Sequence, residues 1–287
     1  MKTFFISFAM TIVWLGGFAQ WVQVNNGLPD FPPTAMVPIA DTMIVSTYGG
    51  GIFKSFDNGE NWTNINGNLG NLFVNDIRGF ASYLSLMVST DGGPFITMDQ
   101  ADYIDCTSSG LGSTEVNYFW WGNENLGGDF MVGTKGAGVF ASEEYTGPWT
   151  AANMNISGDG LYINDLGGYS DDEVEYTVMA TDGGTYWAID EATEWTQING
   201  GLSGDALKVK KITGLSTLVL IATHGGLYLN YDLVDEWTPL IPNEKLNVIL
   251  IHQSPISPTG FMVFAFGEHG FYSEDFLSWA SLDMGNV

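Results

Sequence analysis

The chain has few of the residues on which many binding and catalytic sites depend. Its one cysteine, Cys106, excludes an intramolecular disulfide. Its one arginine, Arg78, excludes a carboxylate clamp built from several guanidinium groups. The three histidines, at positions 224, 252 and 269, match no nucleophile motif and no paired metal-ligand spacing. The sequence therefore predicts neither a catalytic residue, nor a metal, nor a cofactor.

Positive charge is scarce throughout the chain. Eight basic residues stand against 33 acidic ones, which gives a formal net charge of -25. Such a surface repels nucleic acid and anionic membranes, so we expect neither of them as a partner. The same charge favours solubility and cationic partners.

Long apolar runs are absent after the first 20 residues. Lys2 precedes the apolar stretch FFISFAMTIVWLGGFA, and Gly17 and Ala19 supply the small residues that a signal peptidase reads. We therefore expect a signal peptide at 1–19 and a single domain at 20–287, secreted or periplasmic, without membrane insertion after cleavage. The alternative is an uncleaved membrane anchor.

Six segments repeat one pattern, in which an apolar β-rich run leads through threonine and a glycine turn to an apolar-aromatic run. The threonines recur at intervals of 42 to 47 residues, and Phe266 follows the last of them by another 43: Thr47, Thr90, Thr134, Thr181 and Thr223. Tryptophans close most repeats, and Tyr103 replaces the tryptophan in the second: Trp62, Trp149, Trp195, Trp237 and Trp279. We expect these rings to fill the space between adjacent sheets.

A period near 44 residues is typical of propeller blades or of helical arrays. Val, Ile, Phe, Tyr and Thr dominate the repeats, and no segment after the leader keeps a helical period. The sequence therefore predicts an all-β fold, a β-propeller of about six four-stranded blades, at 31–66, 72–108, 114–154, 161–199, 206–241 and 246–283. Trp21–Leu28 also reads as a fourth strand, which adds to a blade edge or belongs to a seventh blade.

The segment SFDNGENW at 55–62 matches the pattern Ser-x-Asp-x-Gly-x-x-Trp. With the preceding TYGGGIFK it resembles the BNR/Asp-box propellers, which include sialidases, sortilin-type receptors, xyloglucan-cleaving enzymes and photosystem II assembly-factor-like proteins. The resemblance covers 21–287, although only one box is intact. In this family the box is a folding element away from the active face. The resemblance, with the turn chemistry, implies structural roles for Ser55, Asp57, Gly59 and Trp62.

The resemblance does not extend to the chemistry of particular family members. Sialidases clamp their substrate with an arginine cluster, which this chain cannot build. The photosystem-assembly-like branch engages its client through a basic patch. Here the basic residues cluster only at Lys208, Lys210 and Lys211, where we expect them to offset nearby acidic charge.

The best candidates for contacts with a partner follow the repeated threonine or lie near that position, where the residue type varies from blade to blade. They are Tyr48, Asp91, Lys135, Asp182, His224 and Glu268. The alternative is that exposed turn tips tolerate any polar residue.

The sequence thus predicts a secreted or periplasmic propeller that binds a protein or carbohydrate partner. One alternative is a glycoside hydrolase with two unidentified carboxylates, and another is a structural domain of an extracellular assembly. The acidic runs 171–173 and 273–275 lack the spacing of a calcium loop and read as solvated turns.

Overall fold

The computed structural model describes residues 25–39, 41–79, 85–107, 109–121, 130–170, 175–189, 194–215, 218–231, 233, 236–253 and 261–282. The predicted signal peptide, and 21–24 of the predicted strand Trp21–Leu28, lie outside the described residues. No helix formed by the described residues is long and apolar enough to cross a membrane.

The described strands form six four-stranded antiparallel sheets, each built from consecutive strands. Blade 1 contains β1 (Pro33–Ile39), β2 (Thr42–Thr47), β3 (Gly51–Ser55) and β4 (Thr63–Asn64). Blade 2 contains β5 (Val74–Gly79), β6 (Leu86–Thr90), β7 (Gly93–Thr97) and β8 (Tyr103–Asp105). Blade 3 contains β9 (Val116–Trp121), β10 (Phe130–Thr134), β11 (Val139–Ser142) and β12 (Thr150–Ala151).

The second half of the chain repeats this plan. Blade 4 contains β13 (Ile163–Ser170), β14 (Glu175–Thr181), β15 (Gly184–Ile189) and β16 (Thr196–Gln197). Blade 5 contains β17 (Val209–Leu215), β18 (Leu218–Thr223), β19 (Gly226–Tyr231) and β20 (Thr238–Pro242). Blade 6 contains β21 (Leu246–Gln253), β22 (Phe261–Gly267), β23 (Gly270–Ser273) and β24 (Ala280–Leu282). The all-β prediction and the six-bladed propeller are confirmed.

Five hydrophobic clusters each join two neighbouring blades, as expected for sheets that cannot bury both faces alone. The cluster between blades 3 and 4, for example, packs Tyr118 against Ile163 and Trp195. Three of the repeated tryptophans also donate an indole hydrogen bond to a backbone carbonyl of the preceding blade: Trp149 to Cys106, Trp195 to Ala152 and Trp237 to Ile198. These rings therefore pack between neighbouring blades and also connect them by hydrogen bonds.

The two ends of the third strand of each blade define two faces of the molecule. The hairpins between second and third strands lie on what we call the hairpin-tip face. The turns between third and fourth strands lie on the opposite face, which we call the 3–4 turn face. A β-bulge in each innermost strand adds one residue beside the hairpin-tip face: Thr34, Asn75, Asn117, Asn164, Lys210 and Asn247. These residues line a central channel.

Candidate binding face

The hairpin tips are held by backbone hydrogen bonds to the residues that enter the innermost strands. Tyr48 N–H donates to Pro32 O in its own blade, and Gly49 N–H donates to Leu72 O at the entry to blade 2. Asp91 and Asp182 N–H bond in the same way to Phe73 O and Tyr162 O. The tips are thus fixed by their own blade, and the first also by the next blade, so their side chains project from a rigid rim.

Three of the six predicted contact residues meet in one network that crosses three blades. Tyr48 Oη donates to Asp91 Oδ2 over 2.5 Å, and Lys135 Nζ lies 2.6 Å from Asp91 Oδ1. Asn75 donates to the same Asp91 oxygen over 2.9 Å, and Lys135 Nζ lies 5.7 Å from the centre of the Tyr48 ring. Blades 1, 2 and 3 are therefore linked at their tips by polar side chains.

The pKa values in this network reflect the same contacts. The hydrogen bond to Asp91 raises the pKa of Tyr48, which keeps its hydroxyl protonated as a donor. Burial alone would raise the pKa of Asp91, but hydrogen bonds from Lys135, Tyr48 and Asn75 outweigh burial and lower it. Asp91 is therefore held as a carboxylate that accepts three hydrogen bonds.

Asp182 and His224 form a second group at the tips of blades 4 and 5. Lys210 Nζ pairs with Asp182 Oδ1, and Asn164 donates to the same oxygen over 2.8 Å. Burial, followed by the positive charges of Lys210 and other nearby lysines, lowers the pKa of His224. At neutral pH this histidine is an uncharged donor and acceptor on the rim.

Glu268, the sixth predicted contact residue, is exposed and is not brought into either group by any described contact. Its neighbour His269 pairs instead with Glu244, with 3.0 Å between His269 Nδ1 and Glu244 Oε2. The hairpin-tip face therefore contains a network on blades 1–3, a second group on blades 4 and 5, and a separate ion pair beside blade 6.

Exposed aromatic side chains surround the first network. Phe31, Phe73 and Tyr162 are 45%, 48% and 46% exposed, and all three precede innermost strands on this face. The Tyr48 and Phe73 rings meet edge to face, with 5.1 Å between their centroids. A Cβ atom on Gly50 would lie 2.9 Å from the Phe31 ring, so glycine makes room for that ring. Sequence analysis missed these aromatics, although each falls at the start of a repeat.

The basic cluster is neutralised residue by residue, as the sequence suggested. Lys208 pairs with Asp205 (2.8 Å), Lys210 with Asp182, and Lys211 with Asp165 (3.3 Å). It therefore presents no unpaired basic patch of the kind that the photosystem-assembly-like resemblance would require.

An ion network lies in the central channel, next to the bulge residues. Arg78, from blade 2, binds Asp76 of its own strand (3.1 Å) and Asp165 of blade 4 (2.9 Å). Its guanidinium lies over the ring of Tyr118 in blade 3, 4.0 Å from the centroid. Lys211, from blade 5, completes the network on Asp165. The side chain of Asp165 is only 2% exposed, so the network connects four blades and offers that carboxylate to no large ligand.

The segment 55–62, which matches the pattern Ser-x-Asp-x-Gly-x-x-Trp, folds as a hydrogen-bonded turn. Ser55 Oγ donates to Asp57 Oδ1 and accepts from Gly59 N–H, over 2.8 and 2.9 Å. Asn61 donates to Asp57 from both its backbone and its side chain, and these bonds, Asn61 first, lower the pKa of Asp57. Gly59 has φ +92°, and Trp62 is buried. The structure thus places all four box residues in a turn on the face opposite the hairpin tips.

The same turn recurs where the motif is degenerate. In 97–103, Asp99 Oδ1 accepts hydrogen bonds from Thr97 Oγ1 and from the Ala101 and Asp102 N–H groups. In 273–279, Asp275 accepts from Ser273 and from two backbone N–H groups. Sequence analysis missed the first of these turns because threonine replaces serine and tyrosine replaces tryptophan. The acidic run 273–275 is accordingly a turn, whereas 171–173 lies outside the described structure.

Asparagines at the bulge form a further set that sequence analysis missed. The side chains of Asn75, Asn117 and Asn164 each donate to a backbone carbonyl of the next blade, over 2.7 to 2.9 Å. Their spacing follows the blade period, which is the signal that could have revealed them. These hydrogen bonds connect neighbouring innermost strands around a channel cavity of about 500 Å³.

A larger cavity, of about 770 Å³, lies at the outer rim of blade 3, away from both groups of tip residues. Its described lining includes Glu143 and Glu144 but no aromatic ring. We place the candidate site on the hairpin-tip face because aromatic rings and preorganised polar groups converge there.

These features define a β-propeller with a candidate binding face. No protein-family model and no curated protein sequence matches the chain. Solved structures do match it at low identity. An ancestral GH74 enzyme is 14% identical over 91% of this chain and 39% of that chain, with a TM-score of 0.64. An extracellular domain assigned to a one component system from B. thetaiotaomicron is 13% identical over 92% and 35%, with a TM-score of 0.70.

A third match spans nearly the whole of both chains. YCF48 from Cyanidioschyzon merolae is 12% identical over 92% of this chain and 88% of that chain, with a TM-score of 0.61. The chain spans less than two fifths of the length of the first two proteins. Likeness at this level of identity establishes the propeller fold that these proteins share.

Proposed function

We propose that the chain is a secreted or periplasmic binding module that recognises a protein or carbohydrate partner through its hairpin-tip face. The observation that carries this proposal is the Tyr48–Asp91–Lys135 network, ringed by exposed aromatic side chains. Extracellular domains among the structural matches support the proposed location.

The chemistry of this face suits recognition. Aromatic rings with one exposed side provide large contact areas at a small cost in side-chain entropy, and such residues dominate binding energetics. Tyr48 is already fixed by its hydrogen bond to Asp91, so binding need not order it. The charges of Asp91 and Lys135 offset each other, so this ion pair adds no net charge beside the rings.

The glycoside hydrolase alternative requires two carboxylates that can reach a substrate. Asp76 and Asp165 are two carboxylates that lie close together in the central channel. Arg78 forms an ion pair with each of them, so neither is free to act on a substrate. Asp165 is also buried, so a polymeric substrate could not reach both carboxylates. Among the described residues, no observation favours hydrolysis over binding.

The experiment compares wild type with a triple variant, Tyr48→Ala, Lys135→Ala and His224→Ala, on a glycan array and in a cross-linking pull-down. We expect the variant to lose the glycan or protein that the wild type retains. A matched control carries Phe56→Ala and Leu277→Ala, which remove exposed side chains from the 3–4 turn face. Loss of binding in the control, with binding unchanged in the triple variant, would show that the binding site does not lie on the hairpin-tip face.

We further propose that 1–19 directs export and is removed after Ala19. N-terminal sequencing of the exported protein should begin at Gln20. A chain that keeps Met1 and partitions with membranes would instead support the anchor alternative.

A further inference from the structure

One position of the innermost strand packs each blade against the blade before it. It lies two residues after the bulge, and its side chain is only 1–6% exposed in blades 2 to 6: Ile77, Phe119, Leu166, Ile212 and Ile249. Each belongs to the cluster that joins its blade to the preceding one. Met36 holds this position in blade 1 and is 53% exposed. The face of blade 1 that should meet a preceding blade is therefore partly uncovered.

The corresponding position on the opposite face of the sheet is buried in blades 1 to 5 and more exposed in blade 6. On the second strand, five equivalent side chains pack towards the following blade and are 0–1% exposed: Ile44, Met87, Met131, Val178 and Leu220. Phe264 is their equivalent in blade 6 and is only partly buried. Leu250, its partner across the strands, is 53% exposed. The face of blade 6 that should meet a following blade is thus also uncovered.

Contacts between strands agree with these exposures. From blade 1 to blade 6, each innermost strand contacts the next, and the second strand of each blade also contacts the next innermost strand. Within the described residues, β21 and β22 make no comparable contact with β1. We call the space between Leu250 and Phe264 on one side and Met36 on the other the 6–1 gap.

The position of residues 25–28 indicates which kind of structural element packs against blade 1 at the gap. Gly27 lies against the carbonyl of Trp62, where a Cβ atom would come within 2.3 Å of the oxygen. Gly110 and Gly201 lie in the same way against the carbonyls of Trp149 and Trp237. Those two glycines belong to segments that follow the outermost strand of the preceding blade, β8 and β16. Gly27 therefore occupies, beside blade 1, the position that in blades 3 and 5 is taken by the segment leaving the preceding sheet.

No described sheet has its exit at Gly27. Blade 6 already has its own outermost strand, β24, paired with β23. The exit position on blade 1 and the uncovered face of blade 6 thus point to the same missing element between them.

We propose that the 6–1 gap is a docking site for one further four-stranded antiparallel sheet, apolar on both faces, which packs as a seventh blade. Both walls are sheet faces, and the other five joins in the ring are made by sheet-on-sheet packing. The wall residues Met36, Leu250, Phe264 and Phe266 are uncharged in a chain of net charge -25, so the surface that covers them is apolar. This inference is independent of the proposed binding function.

The test supplies such a sheet within the chain. A second copy of 243–282 is appended after Leu282, so that the copied Ile249 and Val263 can pack on the uncovered face of blade 6. We expect Tm to rise by about 5 °C or more and binding of the neutral dye Nile red to fall. The matched control carries Ile249→Lys and Val263→Lys in the copy alone and should behave as the original chain. An unchanged Tm and unchanged dye binding with the apolar copy would overturn the proposal.

A distance measurement on the original chain does not depend on the folding of an added copy. Spin labels are placed at Glu268→Cys with Tyr48→Cys across the gap, and at His224→Cys with Glu268→Cys across a closed join. Cys106 is buried and leaves labelling specific. We expect the separation across the gap to be about 1.8 times the other, as for second and first neighbours in a seven-membered ring. Equal separations would show a closed ring of six and refute the docking site.

Discussion

Arg78 shows how a single residue can connect much of this fold. The chain's one arginine is placed in the central channel, where it contacts Asp76, Tyr118 and Asp165 from three blades. Its planar guanidinium allows it to bond two carboxylates and cover a ring at once, which a lysine ammonium cannot do. We therefore assign Arg78 to the integrity of the channel.

Replacement of Arg78 by alanine should destabilise the domain by about 3 kcal/mol, because it leaves the buried Asp165 carboxylate with less compensation. Urea unfolding monitored by tryptophan fluorescence measures the change. Lys208→Ala, which removes an exposed pair with Asp205, is the control and should have little effect. Equal stability of Arg78→Ala and Lys208→Ala would contradict the assignment.

The two described histidine side chains should respond to acid in opposite ways. Burial and nearby lysines lower the pKa of His224, so its contribution to stability is present above pH 6.5 and is lost as pH falls through its folded pKa. The hydrogen bond to Glu244 raises the pKa of His269, so its contribution is present below pH 6.5 and is lost as pH rises through its folded pKa.

Unfolding free energies at pH 7.5 and pH 5.5 test these signs. Between those values His224→Gln should lose less stability than wild type, and His269→Gln should lose more. Identical pH profiles for the two variants would show that the local charges named here do not set the pKa values.

At the scale of elements, the turn between third and fourth strands depends on a hydroxyl and a carboxylate two residues apart. Ser55 is buried, and its Oγ accepts the Gly59 N–H. In blade 2, Thr97 supplies the hydroxyl of the equivalent turn. Either hydroxyl residue therefore builds the turn, which explains why the serine-based motif does not detect the turn of blade 2.

Ser55→Ala should cost about 1–2 kcal/mol, because it leaves a buried N–H group without its acceptor. Ser55→Thr keeps the hydroxyl and should retain most of the stability. Thermal unfolding compares the two variants. If alanine and threonine were equally damaging, packing around Ser55 rather than the hydroxyl would determine the turn.

Much of this element pattern could be predicted from the sequence. The range 31–66 that was expected for blade 1 contains all four observed strands, from Pro33 to Asn64. Threonine, glycine and tryptophan mark strand ends and turns locally, so their period reveals the blades. The asparagines at the bulges recur with the same period, but their partners, which are backbone carbonyls of the next blade, could not be predicted from that spacing.

At the scale of the whole molecule, the period placed the six candidate residues on one face but could not show which of them touch. Tyr48 reaches Asp91, 43 positions away, only because the hairpins of adjacent blades converge. No described contact brings Glu268 into either group. Arg78 and Asp165 are 87 positions apart and follow no period.

Folding of this molecule should need neither a metal nor a disulfide. Cys106 is buried, and burial raises the pKa of its thiol to about 12, so it stays protonated and unreactive at neutral pH. Melting curves with chelator, with reductant and with neither should superimpose. A large fall in Tm with chelator would reveal a structural cation.

The central claim, that the hairpin-tip face binds a partner, is tested most directly by hydrogen–deuterium exchange of the mature chain with and without the glycan or protein recovered from the array or pull-down. We expect slower exchange of backbone amides at and around Tyr48, Asp91 and Lys135 in the complex, with amides of the Ser55–Trp62 turn unchanged. Slower exchange confined to that turn and to 97–103, with the hairpin tips unaffected, would contradict it.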